Sequence, residues 1–166
     1  FTVVQTAPAE HPTLRRHRLG IGFYDTDASS GRLVRTDYVE VDVAGERTVV
    51  DALVGRAQPE LLLLNDQDLA FAKIRLDERS RATATARLSD LDDSLARALV
   101  WSAAWDMTRD AELPATDFVE LVLRNIGAET DAITGGLLRI VPAEVETGAM
   151  EMLEREAGSS DEGEVA

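Results

Sequence analysis

Three constellations have residue types and spacing suited to chemistry: the histidines His11 and His17, the acidic cluster Asp25-x-Asp27-x-Ser29, and the carboxylate pair Asp66 and Asp68. A zinc peptidase helix needs His-Glu-x-x-His, because residues four apart share a helix face and the glutamate must reach the metal-bound water. His11 and His17 stand six apart on a strand-like stretch, with Pro12 beside the first, so the spacing favours solvent-facing or partner-paired histidines over ligands. Asp25, Asp27 and Ser29 offer the clustered oxygens a calcium ion wants. The EF-hand pattern, however, places glycine sixth and glutamate twelfth, where this chain has Ser30 and Thr36. A polar hairpin tip is the stronger reading. Asp66 and Asp68 would suit a cation or an acid–base pair, against which stands a plainer role as strand-end turn residues bonding to local backbone.

Nucleophilic chemistry finds less support. The chain has no Gly-x-Ser-x-Gly elbow, no phosphate-cradling glycine loop before Lys-Ser/Thr, and no cysteine. Its sole lysine, Lys73, stands between Ala72 and Ile74 and is expected to point away from the buried face of a strand. Trp101 and Trp105, four apart near Leu99 and Met107, read as core packing rather than a stacking platform. No residue of this chain is therefore assigned a catalytic, cofactor-binding or metal-binding role.

The elements that must position these groups fall into two halves. Leu19, Ile21 and Phe23 alternate with Gly20, Gly22 and Tyr24, and Val39, Val41 and Val43 alternate with Glu40 and Asp42, so each segment is expected to have one dry face and one wet face. Turn formers from Asp25 to Gly31 join them, and Ala44-Gly45 forms a second short connection. Further runs at Thr2–Thr6, Arg47–Leu53, Leu61–Leu64 and Leu69–Leu76 bring the expectation to about six strands, with Leu61–Leu64 buried on both faces. Near Arg79 the period changes. Leu95, Leu99, Ala103 and Met107 predict a helix over 92–110, with Ser89 as a candidate cap before it. Phe118, Leu121, Val122 and Ile126 predict a second over 117–126, capped by Thr116 and stopped by Gly127. Thr130-Asp131 restarts a helix that Gly135-Gly136 weakens, Pro142 opens another running to about Glu156, and residues 157–166 read as a disordered acidic tail.

This order predicts an α+β fold with segregated halves: an antiparallel β-sandwich over 1–79, then an α-helical, helical-repeat-like segment over 80–156. Acids outnumber bases 31 to 17, giving −14, which argues against an electrostatic nucleic-acid binder. Residues 1–80 are near balance at −3 while 81–166 carry −11, so the helical half holds the excess. No apolar run approaches the roughly 18 residues of a membrane span. Starting at Phe1 without methionine, the chain is expected to be a piece of a longer protein.

The string Leu61-Leu-Leu-Leu-Asn-Asp-Gln-Asp-Leu-Ala-Phe-Ala-Lys-Ile-Arg-Leu-Asp77 resembles a segment of the aminopeptidase N family of zinc metallopeptidases, actinobacterial type. Phe1-Thr-Val-Val-Gln-Thr-Ala-Pro8 with His11-Pro-Thr-Leu-Arg15 resembles the opening of that family's third domain. Asp93-Ser-Leu-Ala-Arg-Ala-Leu-Val-Trp-Ser-Ala-Ala-Trp-Asp-Met-Thr-Arg-Asp-Ala-Glu-Leu113 resembles the first helices of its fourth. The order and spacing match across roughly residues 1–131.

The resemblance implies a parent with an N-terminal β domain and a thermolysin-like catalytic domain ahead of Phe1. The family's Gly-x-Met-Glu-Asn signature and zinc helix would lie there, so no catalytic or metal position transfers to this chain. What remains would be a noncatalytic scaffold and part of the active-site enclosure. Its implied partners are the catalytic domain of the same polypeptide and, in the parent, peptide substrates, with zinc as the parent's cofactor. A cytoplasmic location follows from family habit and the lack of a signal segment. Two alternatives of other classes stand beside it: an independent protein-interaction module using a sheet edge or the Trp101/Trp105 helix, and a small enzyme using Asp66 and Asp68.

Overall fold

The computed structural model describes residues 1–129. Five strands come first: β1 (Thr2–Val4), β2 (His17–Thr26), β3 (Leu33–Val43), β4 (Arg47–Val49) and β5 (Leu61–Leu64). Strand β2 is central, pairing antiparallel with β3 on one side and β5 on the other, while β1 and β4 form a separate antiparallel ribbon. Three helices follow, α1 (Glu78–Arg87), α2 (Ser94–Arg109) and α3 (Ala115–Asn125).

The two-residue period of β2 explains the layering. Leu19, Ile21 and Phe23 face the ribbon and pack with Val3, Val43, Val50, Leu53 and Leu62. Tyr24, Leu33, Leu61 and Leu63 face the other way and share a second core with Leu88, Leu91, Val100, Trp101, Met107, Phe118 and Leu121 of the helical half. The architecture is ribbon, sheet, helices, which agrees with antiparallel sheets followed by a helical segment.

Several local expectations need correction. β2 has no wet face, because residues 19–24 are all buried. Its glycine side is covered by Asp66 and Tyr38 instead of water. Leu61–Leu63 are buried on both faces as the unbroken leucine run predicts. Leu69–Leu76 is not a strand, so the count is five rather than about six. The run predicted over Arg47–Leu53 divides into β4 and a 3-10 turn, Asp51–Leu53.

Helix α1 is absent from the sequence reading because Glu-Arg-Ser-Arg-Ala-Thr-Ala-Thr-Ala-Arg carries no apolar stripe; Ser80 and Ala84 are its buried residues. It forms under an Asp77 cap and covers the outer edge of β5. Ser80 Oγ accepts from the Leu62 N–H at 2.8 Å and Thr83 Oγ1 donates to the Glu60 carbonyl at 2.7 Å. An edge otherwise open to strand addition is thereby satisfied. Helix α2 is capped by Asp93, whose carboxylate accepts from the N–H groups of Leu95 and Ala96, and not by Ser89, which lies in the 3-10 turn Leu88–Asp90. Helix α3 starts two residues before its predicted Asp117, with Pro114 at the cap position rather than Thr116. Gly127 does not make a left-handed stop; it sits in the 3-10 turn Ile126–Ala128. The expectations for Thr130-Asp131, Gly135-Gly136, the helix from Pro142 to about Glu156 and the tail 157–166 lie outside the described residues.

Candidate functional site

The polar centre of the described chain is built where β5 ends. Asn65, Gln67 and Asp68 all have left-handed backbone, with φ of 58°, 72° and 54°. Asn and Asp tolerate this region; for Gln67 it costs about 1–2 kcal/mol. The Asn65 side-chain amide holds the loop by donating to the Ala70 carbonyl at 2.7 Å and accepting from the Ala70 N–H at 2.9 Å. This clamp turns the Asp66 carboxylate inward, where it is fully buried.

Asp66 Oδ2 accepts from Tyr24 Oη at 3.0 Å and from Arg35 Nη1 at 3.1 Å, and Oδ1 accepts from the Gln67 N–H at 3.0 Å. The Asp66 N–H donates to the Gly20 carbonyl at 3.1 Å. Gly20 and Gly22 make the slot. A Cβ at Gly22 would stand 2.2 Å from Asp66 Oδ2, and one at Gly20 would stand 2.3 Å from the Asp66 carbonyl oxygen and 2.6 Å from Tyr38 Oη. Burial, with the Asp66 charge adding to it, pushes the Tyr24 hydroxyl far above its ordinary value. The hydrogen bond to Asp66 raises Arg35, whose guanidinium also lies 5.3 Å from the Tyr38 ring centroid.

This arrangement locks a loop and leaves no free acid or base. Asp68 is exposed and accepts from Asn65 Nδ2 at 3.2 Å, so the two carboxylates do not converge. The small-enzyme reading loses its pair. The plainer expectation of local backbone bonding holds for part of the loop, but it missed the cross-sheet partners Tyr24 and Arg35.

At the hairpin tip Asp27 Oδ1 accepts from Ser29 Oγ at 2.6 Å, Ser30 Oγ at 2.7 Å and the Ser30 N–H at 2.8 Å. Those bonds, the Ser29 hydroxyl first, hold the Asp27 carboxyl down at about 2. Asp25 is turned away, accepting from the Glu60 N–H at 2.9 Å and Thr36 Oγ1 at 3.0 Å. The tip is a polar turn, as its spacing favours. His11 is exposed in the loop before β2 and His17 opens that strand. Among the described residues no three His, Asp or Glu side chains gather as a metal site would require, so this donor set does not fit a zinc centre.

Lys73 is not on a strand. Its ammonium bonds both oxygens of Asp110 at 2.8 Å, just beyond α2, with Arg75 bridging Asp110 and Glu112. The Lys73 bond, ahead of Arg75, lowers the Asp110 carboxyl below its ordinary value. Trp101 is buried and Trp105 packs on Phe118 with ring centroids 5.3 Å apart, so both belong to the core as expected.

Two clamps missed in the sequence fix the helical half, Arg87 to the strands and Asn125 within the helices. Arg87 donates to Gly31 O at 2.6 Å, Thr26 Oγ1 at 2.6 Å and Glu60 Oε2 at 3.1 Å, fixing α1 to the hairpin. Asn125 donates to the carbonyls of Thr85 and Leu121 at 2.9 Å and accepts from the Ser89 N–H at 3.0 Å. Its signal was a polar residue on the buried stripe of α3. Phe71, by contrast, is fully exposed on the segment after the Asn65 clamp. No helix of the described residues is long and apolar enough to cross a membrane.

Comparison with known proteins places these features. The ERAP1-like C-terminal domain family matches residues 61–135, which takes in β5 with its Asp66 loop and all three helices. The chain is also similar to "Aminopeptidase N" of Streptomyces lividans, at 56% identity over 137 residues. That match covers 79% of this chain and 16% of the relative's length, so the chain spans a small part of the protein it resembles.

Proposed function

Because the chain belongs to the aminopeptidase N family, as a segment of it, we propose that it is a noncatalytic scaffold within a zinc-dependent aminopeptidase that removes N-terminal residues from peptides. The observation that carries this reading is the 56% identity to a relative of which the chain spans 16%. The interior is consistent with it: the buried Asp66 carboxylate is taken up by Tyr24, Arg35 and the Gln67 N–H. In the parent the segment spaces the catalytic domain from the helices and forms part of the enclosure that restricts access to peptides. Zinc and its ligands belong to that catalytic domain, and the location is cytoplasmic.

Replacing the corresponding stretch of the Streptomyces relative with this chain tests the reading. The exchanged protein should hydrolyse aminoacyl substrates and release free zinc no faster than its parent, whereas deleting the stretch should abolish turnover. Undiminished activity after deletion would argue against a scaffold. The alternative of an independent interaction module draws on fully exposed Phe71. Covering of the β5 edge by α1 removes one of the surfaces that module would have used.

A further inference from the structure

The tip at residues 69–72 is held from both sides, and among the described residues nothing covers it. Ahead of it the buried Asn65 amide clamps Ala70 through its carbonyl and its N–H, at 2.7 and 2.9 Å. Behind it the Lys73 ammonium bonds both oxygens of Asp110 at 2.8 Å. Only Phe71 and Ala72 lie between these two anchors, and the ring of Phe71 is fully exposed. Leu69 beside it is about half exposed, and the run Leu-Ala-Phe-Ala carries no charge. An apolar side chain fixed in place before contact loses little freedom on binding, which is how an anchor is built.

The size of the tip points to an occupant already joined to it. One phenylalanine buries about 150–250 Å², whereas separate molecules associate stably over about 1,200 Å² or more. A linked surface needs far less, because linkage supplies an effective concentration on the order of millimolar. The chain spans 16% of the relative it matches and belongs with a catalytic domain of the same polypeptide. Two neighbours therefore compete for the tip, that domain and the chain beyond Glu129. The geometry separates them. Glu129 is held by Arg97 and Trp101 near the start of α2, at 2.9 and 3.2 Å, whereas Lys73 is bound to Asp110 just past its end. Arg97 and Asp110 stand about 20 Å apart along the helix. Phe1, by contrast, lines one cavity of about 500 Å³ with Leu64 and Arg75, which bracket the tip in sequence. On the scaffold reading the catalytic domain joins at Phe1, on the tip's side.

We infer that the tip docks on the catalytic domain of the same polypeptide, with Phe71 seated in an apolar recess there. The contact rests on the scaffold reading and gives that scaffold a fixed point. Through the Asn65 clamp it ties the catalytic surface to the Asp66 loop and the central sheet, and through Lys73 to the end of α2.

Photocrosslinking tests the contact in the Streptomyces relative carrying this chain in place of its own stretch, with p-azidophenylalanine at position 71. Illumination should join position 71 to a peptide of the catalytic domain without doubling the mass. In the exchanged enzyme without the azide, hydroxyl-radical oxidation of Phe71 should be about tenfold slower than in the isolated chain, as befits a ring in a desolvated pocket. This second measurement decides the matter if the azide disturbs packing. Crosslinks to a second copy or to the chain beyond position 129, or equal oxidation in the two settings, would overturn the inference. Full turnover with no crosslink would overturn the contact alone. Lost turnover with the crosslink formed would count against the scaffold reading and support the contact.

Discussion

Gly22 lies directly against the carboxylate of Asp66: a Cβ on Gly22 would stand 2.2 Å from Oδ2, closer than any relaxed contact allows. The central strand thus gives up a side chain so that a loop residue can be buried beside Tyr24 and Arg35. Loop, sheet and helical layer are tied at this point, because Tyr24 also belongs to the core shared with α2 and α3.

Gly22→Ala should destabilise the chain by about 2–4 kcal/mol, since the loop must shift and its carboxylate loses register. Asp66→Ala should cost a similar amount by leaving the buried Tyr24 hydroxyl without its acceptor, while half-exposed Arg35 recovers water. Urea unfolding followed by tryptophan fluorescence measures both. A change below about 0.5 kcal/mol in either would show that the slot carries no weight.

Asn125→Leu should cost about 1–3 kcal/mol, because the Ser89 N–H and the Thr85 and Leu121 carbonyls lose a partner that apolar bulk cannot replace. Thermal unfolding monitored at 222 nm, a wavelength that reports helix, would show a lowered midpoint. An unchanged midpoint would mean that the α1–α3 contact stands without its amide clamp.

The Asp27 carboxyl, at about 2 in the fold, lies below its ordinary value of 3.8. A depressed folded value means that this group's contribution to stability is fully present above about 4 and is lost as the pH falls toward 2. Carbon-detected titration of the Asp27 carboxyl should give a midpoint near 2 in the unsubstituted chain, and Ser29→Ala should raise it. Lys73→Met should likewise raise Asp110, whose depression is caused first by the Lys73 ammonium. Titration of either carboxyl at its ordinary value in the unsubstituted chain would contradict these geometries.

Phe71→Ser should leave unfolding free energy within about 0.5 kcal/mol of the original, because the ring is fully exposed and packs on nothing among the described residues. It should reduce self-association of the isolated chain in sedimentation velocity, since exposed apolar surface drives it. Loss of stability would place Phe71 in the core instead.

The sequence made the layers legible where periodicity was strong. The alternation of Leu19, Ile21 and Phe23 and the four-leucine run appear where their spacing puts them, whereas the buried stripe of α2 keeps Ala103 and Met107 but runs through Ala96 and Val100 in place of exposed Leu95 and half-buried Leu99. Elements without a hydrophobic signal were not legible. Helix α1 is held by hydroxyls and alanines packed on a strand edge, a tertiary relation that no local pattern encodes. Residues 69–76 have β-like composition, yet they form no strand, and Lys73 and Arg75 reach instead to Asp110 after α2. For the acidic loop, Asp66 and Asp68 were visible as a pair. That they point apart follows from three left-handed residues and from glycines more than forty positions earlier.

The most direct test of the central claim is turnover by the purified chain itself. Incubated with aminoacyl p-nitroanilides and added zinc, it is predicted to release no more nitroaniline than buffer alone. Zinc-dependent hydrolysis that a chelator removes and zinc restores would contradict the account.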